Sequence, residues 1–414
     1  MDLTPAEAPG TPTLAEPGPR FARVVLTTQA GKIFGVLPPL EIATSRWQDV
    51  EPLVAAIRQR DGIEITVLRL LEAALPRAPG GEVTYLAETA SKVEAPPFEG
   101  ILSDHPLRAA YAKPGGPAAD LAWARSVLTR EGIALSAPPV QIRTWNLSSL
   151  WRMETDRGAV WLKVLPAFLA REAAIVAHLT GERVPRLLAT EGPRMLMPEI
   201  PGRDLYGADT AELLEMVSLL VDLQARRLGH ETELLDLGLV DWRSRALIAA
   251  VTSVIQRTAS QLDAGERAVL AVFAGELPNR MARAEACGIP ETLMHSDFHP
   301  GNVRGSKGAM TFLDWGEAGV GHPLLDQAAM FGSIAADQVE TVRAHWSECW
   351  RSVMPGCDPL AAFALLAPVA VARQAAIYQT FLDNIEPSEH PYHRGDPADR
   401  LRRVASLARE EPPL

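Results

Sequence analysis

The chain has 414 residues, a formal net charge of −11, 47% hydrophobic residues and 22% charged residues. This is ordinary for a globular protein with room for two or three domains, and the acidic balance argues against a sequence-independent nucleic-acid binder, which needs a positive face. Its three cysteines, Cys287, Cys349 and Cys357, are odd in number and match no common zinc spacing, so a reducing, cytoplasmic setting is the simplest expectation. No uninterrupted apolar run approaches the roughly 20 residues of a membrane span, and no membrane partner is expected.

Residues 1–20 contain Asp2, Glu7 and five prolines, and lack a basic segment followed by an apolar one. They read as a disordered tail rather than a secretion signal. Residues 21–112 read as a small separate α/β domain. Strands over Ala22–Thr28 and Lys32–Pro39 flank a turn at Gly31. A helix over Trp47–Gly62 carries Val50, Val54 and Ile57 at helical spacing. Strands over Ile63–Leu71 and Glu82–Glu88 follow. The order loosely resembles a Nudix layout, but the Nudix metal-binding signature is missing, so no catalysis is assigned to this region.

Residues 113–137 begin with breakers and continue as a helix, which reads as a connector. Residues 138–200 then form a β-rich lobe: short strands VQIRTW, LWRMET and AVWLKVL, a helix over Phe168–Leu179, and a strand over Arg194–Ile200. Residues 201–414 are mostly helical, with a short β-rich interruption at about 292–314. The expected class is α+β, a β-rich lobe followed by a helical lobe, preceded by the small α/β domain.

The strongest chemical signal is HSDFHPGN, His295 to Asn302, a frame of His-x-Asp-x-x-x-x-Asn. Asp314 follows in TFLDWGEAG, after an apolar strand. Phosphoryl transfer requires positioning and charge neutralisation more than covalent chemistry. One carboxylate must meet the attacking hydroxyl, and hard oxygen ligands must hold Mg²⁺ against the phosphates. Asp297 fits the first role; Asn302 and Asp314 fit the second. The frame is that of the kinase catalytic loop and its later Asp-Phe-Gly, with Ser296 and Trp315 as replacements. Upstream, Lys163 lies between apolar residues on a strand, and Glu172 lies on the next helix, where it can hold that lysine. Arg171 is turned away from the same face.

These residues together resemble the aminoglycoside phosphotransferase and choline-kinase-like family, whose members share the protein-kinase-like fold. VWLKVL, AREAAIVAHL, RMLMPEIPGRDL, LMHSDFHPGNV and FLDWGEAGVGHPLLDQAAM carry the resemblance, in that order, from about residue 138 to 390. It implies ATP and Mg²⁺ as cofactors, with Asp297 as catalytic base, Asn302 and Asp314 as metal ligands, Lys163 on the phosphates and Glu172 as its ion-pair partner. It implies a hinge at Met197–Ile200, including Glu199, whose backbone faces the adenine. His295 matches the brace of the catalytic loop, and Asp326 a structural acid. His299 is expected to brace the same loop, and Trp242, Trp346 and Trp350 to be core.

Two features depart from protein kinases. The nucleotide loop WNLSS lacks the glycine-rich pattern, leaving Ser148, Ser149 and backbone amides to cover phosphates. No Ala-Pro-Glu follows Asp314, which favours a small-molecule acceptor. The expected function is phosphorylation of a hydroxyl on an aminoglycoside-, amino-alcohol- or sugar-like molecule, with Glu317 favouring a cationic amine. The alternative is an ATP-binding regulatory module on the same fold.

Overall fold

A computed structural model describes residues 18–410, so nearly all of the expected tail lies outside the described residues. The chain opens with a four-stranded sheet, β1 (Arg20–Thr27), β2 (Ile33–Ile42), β3 (Thr66–Ala73) and β4 (Gly81–Glu88), in the order β2-β1-β4-β3. β1 runs parallel to β4, and the outer pairs are antiparallel. Helix α1 (Glu51–Asp61) covers one face through Leu53, Val54 and Ile57. It starts four residues later than the expected helix. Pro52 is confined to a first turn, where it needs no N–H partner, and Trp47 is committed elsewhere: it is buried and donates its indole N–H to Gly80 O at 2.8 Å. Gly62 ends the helix with φ 67°, a conformation that favours glycine.

Helix α2 (Gly116–Arg130), expected as a connector, packs on the outer face of a second sheet. Its Ala124, Val127 and Leu128 meet Trp151, Leu162 and Leu196, and Asp120 accepts a 2.7 Å bond from Arg194. This second sheet has five antiparallel strands: β5 (Val140–Trp145), β6 (Ser148–Met153), β7 (Val160–Val164), β8 (Ala189–Glu191) and β9 (Arg194–Pro198), in the order β5-β6-β7-β9-β8. Helix α3 (Arg171–His178) lies between β7 and β8 in sequence.

The remainder is predominantly helical. After β10 (Arg203–Asp204) come α4 (Thr210–Ala225), α5 (Glu231–Asp236), β11 (Val240–Trp242), α6 (Ser244–Thr258) and α7 (Ala264–Ala286). Short strands β12 (Thr292–Met294), β13 (Val303–Ser306), β14 (Ala309–Phe312) and β15 (Gly319–Gly321) carry the motif residues. Helices α8 (Gln327–Phe331), α9 (Val339–Val353), α10 (Pro359–Asn384) and α11 (Asp396–Glu410) complete the chain. Asp209 and Glu212 form a reciprocal capping box at α4, as Asp263 and Glu266 do at α7. One large core joins these elements and contains Trp346 and Trp350, both fully buried, with Trp242 at its edge.

The 26-residue α10 is long and apolar enough to cross a membrane by length and composition, unlike any segment expected from uninterrupted apolar runs. Most of it is buried inside the protein, where apolar residues on all sides serve packing. Arg373, its single Lys or Arg, falls in mid-helix and breaks the run.

Candidate active site

The site is built at the junction of β7, α3 and the loops around β12–β14. On β7 the apolar neighbours Leu162 and Val164 face the outer core, so Lys163 takes the opposite face by strand alternation. Its ammonium donates to both carboxylate oxygens of Glu172 at 2.7 and 2.9 Å, and to Asp314 Oδ1. Burial disfavours the charge, but Asp314 and Glu172 raise the lysine's pKa above its ordinary value, so it stays protonated. Arg171 instead donates to Gly316 O and Phe168 O.

Asp297 stands opposite. Burial pushes its carboxyl up, but His299, His295 and the Asn302 amide outweigh this and hold it at about 2. Asn302 Nδ2 donates to Asp297 Oδ2 at 2.8 Å and to Asp297 O at 2.9 Å. His299 Nδ1 accepts from Gly301 N–H at 3.0 Å, which puts its ring proton on Nε2, 3.6 Å from Asp297 Oδ2. His299 is therefore a brace of Asp297.

The two motifs are pinned from below. Neutral His295, buried and lowered to about 4 by desolvation, donates Nε2–H to Leu313 O at 2.7 Å. It ties the loop of residues 295–302 to the residue before Asp314 and does not reach the cleft. Ser296 and Asp314 are the only non-glycine residues with positive φ among the described residues, at 74° and 58°. Such conformations cost about 1–3 kcal/mol each and persist only where surroundings enforce them. For Ser296 the enforcers are visible. Asp326 accepts its N–H at 2.8 Å and that of His295 at 3.1 Å, while Arg373 donates to Ser296 O at 3.0 Å and Leu325 O at 3.3 Å. Burial raises Asp326 to about 6 against the pull of Arg373, 3.9 Å away.

Other expected residues fall differently. Ser149 lies on the sheet face opposite Lys163, buried, its hydroxyl accepting from Trp151 Nε1 at 3.1 Å, so its side chain does not reach the cleft. Ser148 stays at the hairpin tip and accepts from Trp145 Nε1 at 3.2 Å. Glu199 donates its N–H to Ala159 O, so that amide is committed to the backbone of the lobe, and its carboxylate lies 3.6 Å from Arg152. Met197 is paired with Trp161 on β7 and largely buried.

Arg373 escaped the sequence reading; the available signal was one cation in an otherwise apolar helix. Tyr206 also escaped it: its ring sits 6.4 Å from that of His299, against the catalytic loop.

The donor set fits Mg²⁺. Asp314 is more than half exposed to the cleft and carries a carboxylate held below its usual range, chiefly by Lys163 against the effect of burial. Asn302 bonds Asp297 through Nδ2, which leaves Oδ1 as its oxygen donor. Mg²⁺ takes few protein groups and keeps several waters, so one carboxylate and one amide oxygen suffice.

Comparisons with known proteins bear on this arrangement. No curated protein matches the chain. Among solved structures, a choline/ethanolamine kinase family protein from Mesorhizobium loti is similar at 17% identity and TM-score 0.47, over 71% of this chain and 96% of that one. Macrolide 2'-phosphotransferase MphH from Brachybacterium faecium is similar at 17% identity and TM-score 0.45, over 72% and 100%. An ethanolamine kinase from Plasmodium vivax is similar at 10% identity and TM-score 0.48, over 68% and 87%. A family model described as the phosphotransferase enzyme family matches residues 145–363, the span from the hairpin tip to α10 that contains Lys163, Glu172, Asp297, Asn302 and Asp314. That match covers more than half of the sequence, and the chain belongs to the phosphotransferase enzyme family.

Proposed function

We propose that this small-molecule phosphotransferase moves the γ-phosphoryl group of Mg·ATP to a hydroxyl of an aminoglycoside-, amino-alcohol- or sugar-like acceptor, with Asp297 as the base. The observation that supports this reading is the convergence of Lys163, Glu172 and Asp314 in one bonded cluster, with Asp297 and Asn302 bonded beside it. A bound Mg²⁺ supplies charge neutralisation at the phosphates, with Asp314 and Asn302 as its protein ligands.

Lys163 then binds phosphate oxygens, held in place by Glu172. Asp297 accepts a hydrogen bond from the acceptor hydroxyl and takes its proton as the new O–P bond forms and the bond from the γ-phosphorus to the bridging oxygen breaks, releasing ADP. A carboxyl near 2 is a weak base at rest, so its main contribution is orientation of the hydroxyl, with proton transfer late. Asn302 and His299 fix which Asp297 oxygen meets the hydroxyl.

Burial, then the charges of Asp297 and Asp314, push the pKa of Glu317 well up against the pull of Arg373 and Arg171. A cationic amine on the acceptor would relieve that cost, which supports an amine-bearing alcohol. The test is a coupled ADP-release screen of amino alcohols, aminoglycosides, macrolides and sugars. Acceptor-dependent turnover that disappears in Asp297→Asn is expected. ATP binding with no acceptor-dependent turnover in any class would favour a regulatory module instead.

A further inference from the structure

The cleft face of the five-stranded sheet carries a second cation. Lys163 is paired directly with Leu150, and Leu150 directly with Arg143. Directly opposed residues of antiparallel strands place their side chains on the same face. Arg143 therefore shares the face on which Lys163 meets Glu172 and Asp314. The row extends past β5, because Asp49 forms a bridge with Arg143. Val50 N–H donates to Ile142 O at 3.2 Å, and Thr144 N–H to Gln48 O at 3.1 Å. Residues 48–50, from the loop between β2 and α1, thus act as an extra edge segment on the second sheet. The guanidinium of Arg143 meets the Asp49 carboxylate at 3.0 Å.

The loop is rigidly held. Arg20 donates to Trp47 O and Asp49 O, both at 2.9 Å, Tyr85 donates to Trp47 O at 2.7 Å, and Gly80 N–H donates to Ser45 O at 2.8 Å. The Arg143 guanidinium is thus held by a loop of the first sheet on the face of the second sheet that carries Lys163.

The β5–β6 turn explains a need for it. It has two residues, Asn146 and Leu147, between the paired Trp145 and Ser148. Asn146 is bonded to His393 at 3.0 Å and to Glu389 O at 3.5 Å. A turn this short and this tied cannot drape a run of amides over a polyphosphate.

We propose that Arg143 joins Lys163 in seating the polyphosphate of the nucleotide, with Asp49 of the N-terminal region holding its guanidinium in reserve. The proposal rests on the nucleotide-binding reading above. A guanidinium is suited to phosphate by its planar fork of donors, and Asp49 occupies that fork until a phosphate competes for it.

Titration calorimetry on the full-length protein tests this, with Mg·ATP and adenosine as probes and a thermal midpoint for each variant. Arg143→Gln should weaken Mg·ATP by about tenfold, the effect of one charge-assisted contact, and leave adenosine unchanged. Asp49→Asn frees Arg143 and should not weaken Mg·ATP. Equal weakening in Arg143→Gln and Asp49→Asn would make their ion pair merely structural and overturn the proposal, as would unchanged Mg·ATP affinity in Arg143→Gln. If Arg143→Gln does not fold, Arg143→Lys decides: it keeps the charge without the planar fork and should still weaken Mg·ATP, and unchanged affinity overturns the proposal. Failure of the wild-type protein to bind Mg·ATP would instead remove the nucleotide reading underneath.

Discussion

Asp326 never touches the cleft, yet Asp326→Asn should damage both stability and turnover. Its carboxylate accepts the N–H groups of His295 and Ser296 and faces the buried Arg373. An asparagine keeps the shape, but offers one acceptor oxygen and turns an NH₂ toward the second N–H. It also leaves Arg373 buried without a counter-charge. Breaking a buried pair from one side costs about 3–5 kcal/mol. With an unfolding entropy of about 2.1 cal/mol/K per residue, that lowers Tm by about 4–6 °C. The released Ser296 relaxes from its left-handed conformation and carries Asp297 with it; a displacement of about 1 Å costs on the order of 10²-fold in kcat. Differential scanning calorimetry gives the first quantity, acceptor-dependent ADP release the second, and Mg·ATP affinity should change little. Replacing both partners, Asp326→Leu with Arg373→Met, should recover part of Tm without recovering kcat. Wild-type kcat in a destabilised Asp326→Asn would refute the link between this pair and the catalytic loop.

Two carboxylates of the cleft should separate cleanly. Asp297→Asn is expected to lower kcat by about 10²–10⁴-fold with Mg·ATP binding nearly intact, whereas Asp314→Asn should lose the Mg²⁺-dependent part of nucleotide binding; calorimetry with and without Mg²⁺ reverses the assignment if the pattern is swapped. Lys163→Ala should raise the nucleotide KM and lower kcat together, and unchanged values of both would remove the lysine from the site. Glu389 is buried, with one carboxyl oxygen unpartnered, and burial followed by the charge of Glu386 raises it to about 8. Its folded pKa exceeds its unfolded value, so the stability it contributes is fully present below about pH 4 and falls as pH rises toward 8. Glu389→Gln should flatten the slope of Tm between about pH 5 and 8, and a slope unchanged by the substitution would assign it to other groups. Deleting residues 1–112 uncovers Gln141, which bonds both backbone groups of Val67, and strips Arg69 and Arg108 from Glu386; size-exclusion chromatography should show aggregation, and a monodisperse truncated protein would contradict this.

The cluster of Lys163, Glu172, Asp297, Asn302 and Asp314 was legible because its chemistry is compressed into short motifs beside apolar strands. The side of Ser149 was not. It depends on the pairing of Leu150 with Lys163, and a bulge between Gln141 and Arg143 shifts the register where single-strand alternation would be read. The start of α1 was misjudged because apolar spacing ran back to Trp47, while Pro52 and the indole bond of Trp47 decided the boundary. Arg143 carries no local signature. Its place on the face of Lys163 follows from strand pairing and its partner Asp49 comes from a loop bridging two sheets, and such contacts leave no periodic trace in a sequence.

The first sheet also packs against nearly the last part of the chain. Tyr392 sits edge-on to Trp47 at 5.5 Å, and Arg77 is paired with Asp396 and Asp399. At ribosomal rates of about 5–20 residues per second, a stretch of some 300 residues takes roughly 15–60 s to synthesise. Throughout that interval the N-terminal sheet waits with the flank of Trp47 uncovered, and β5 and its hairpin, once made, lack the residues that tie Asn146. A nascent chain released before about residue 396 would therefore carry complete phosphotransfer motifs but an unsealed seam between its two sheets, a surface suited to capture by chaperones or by another unfinished copy.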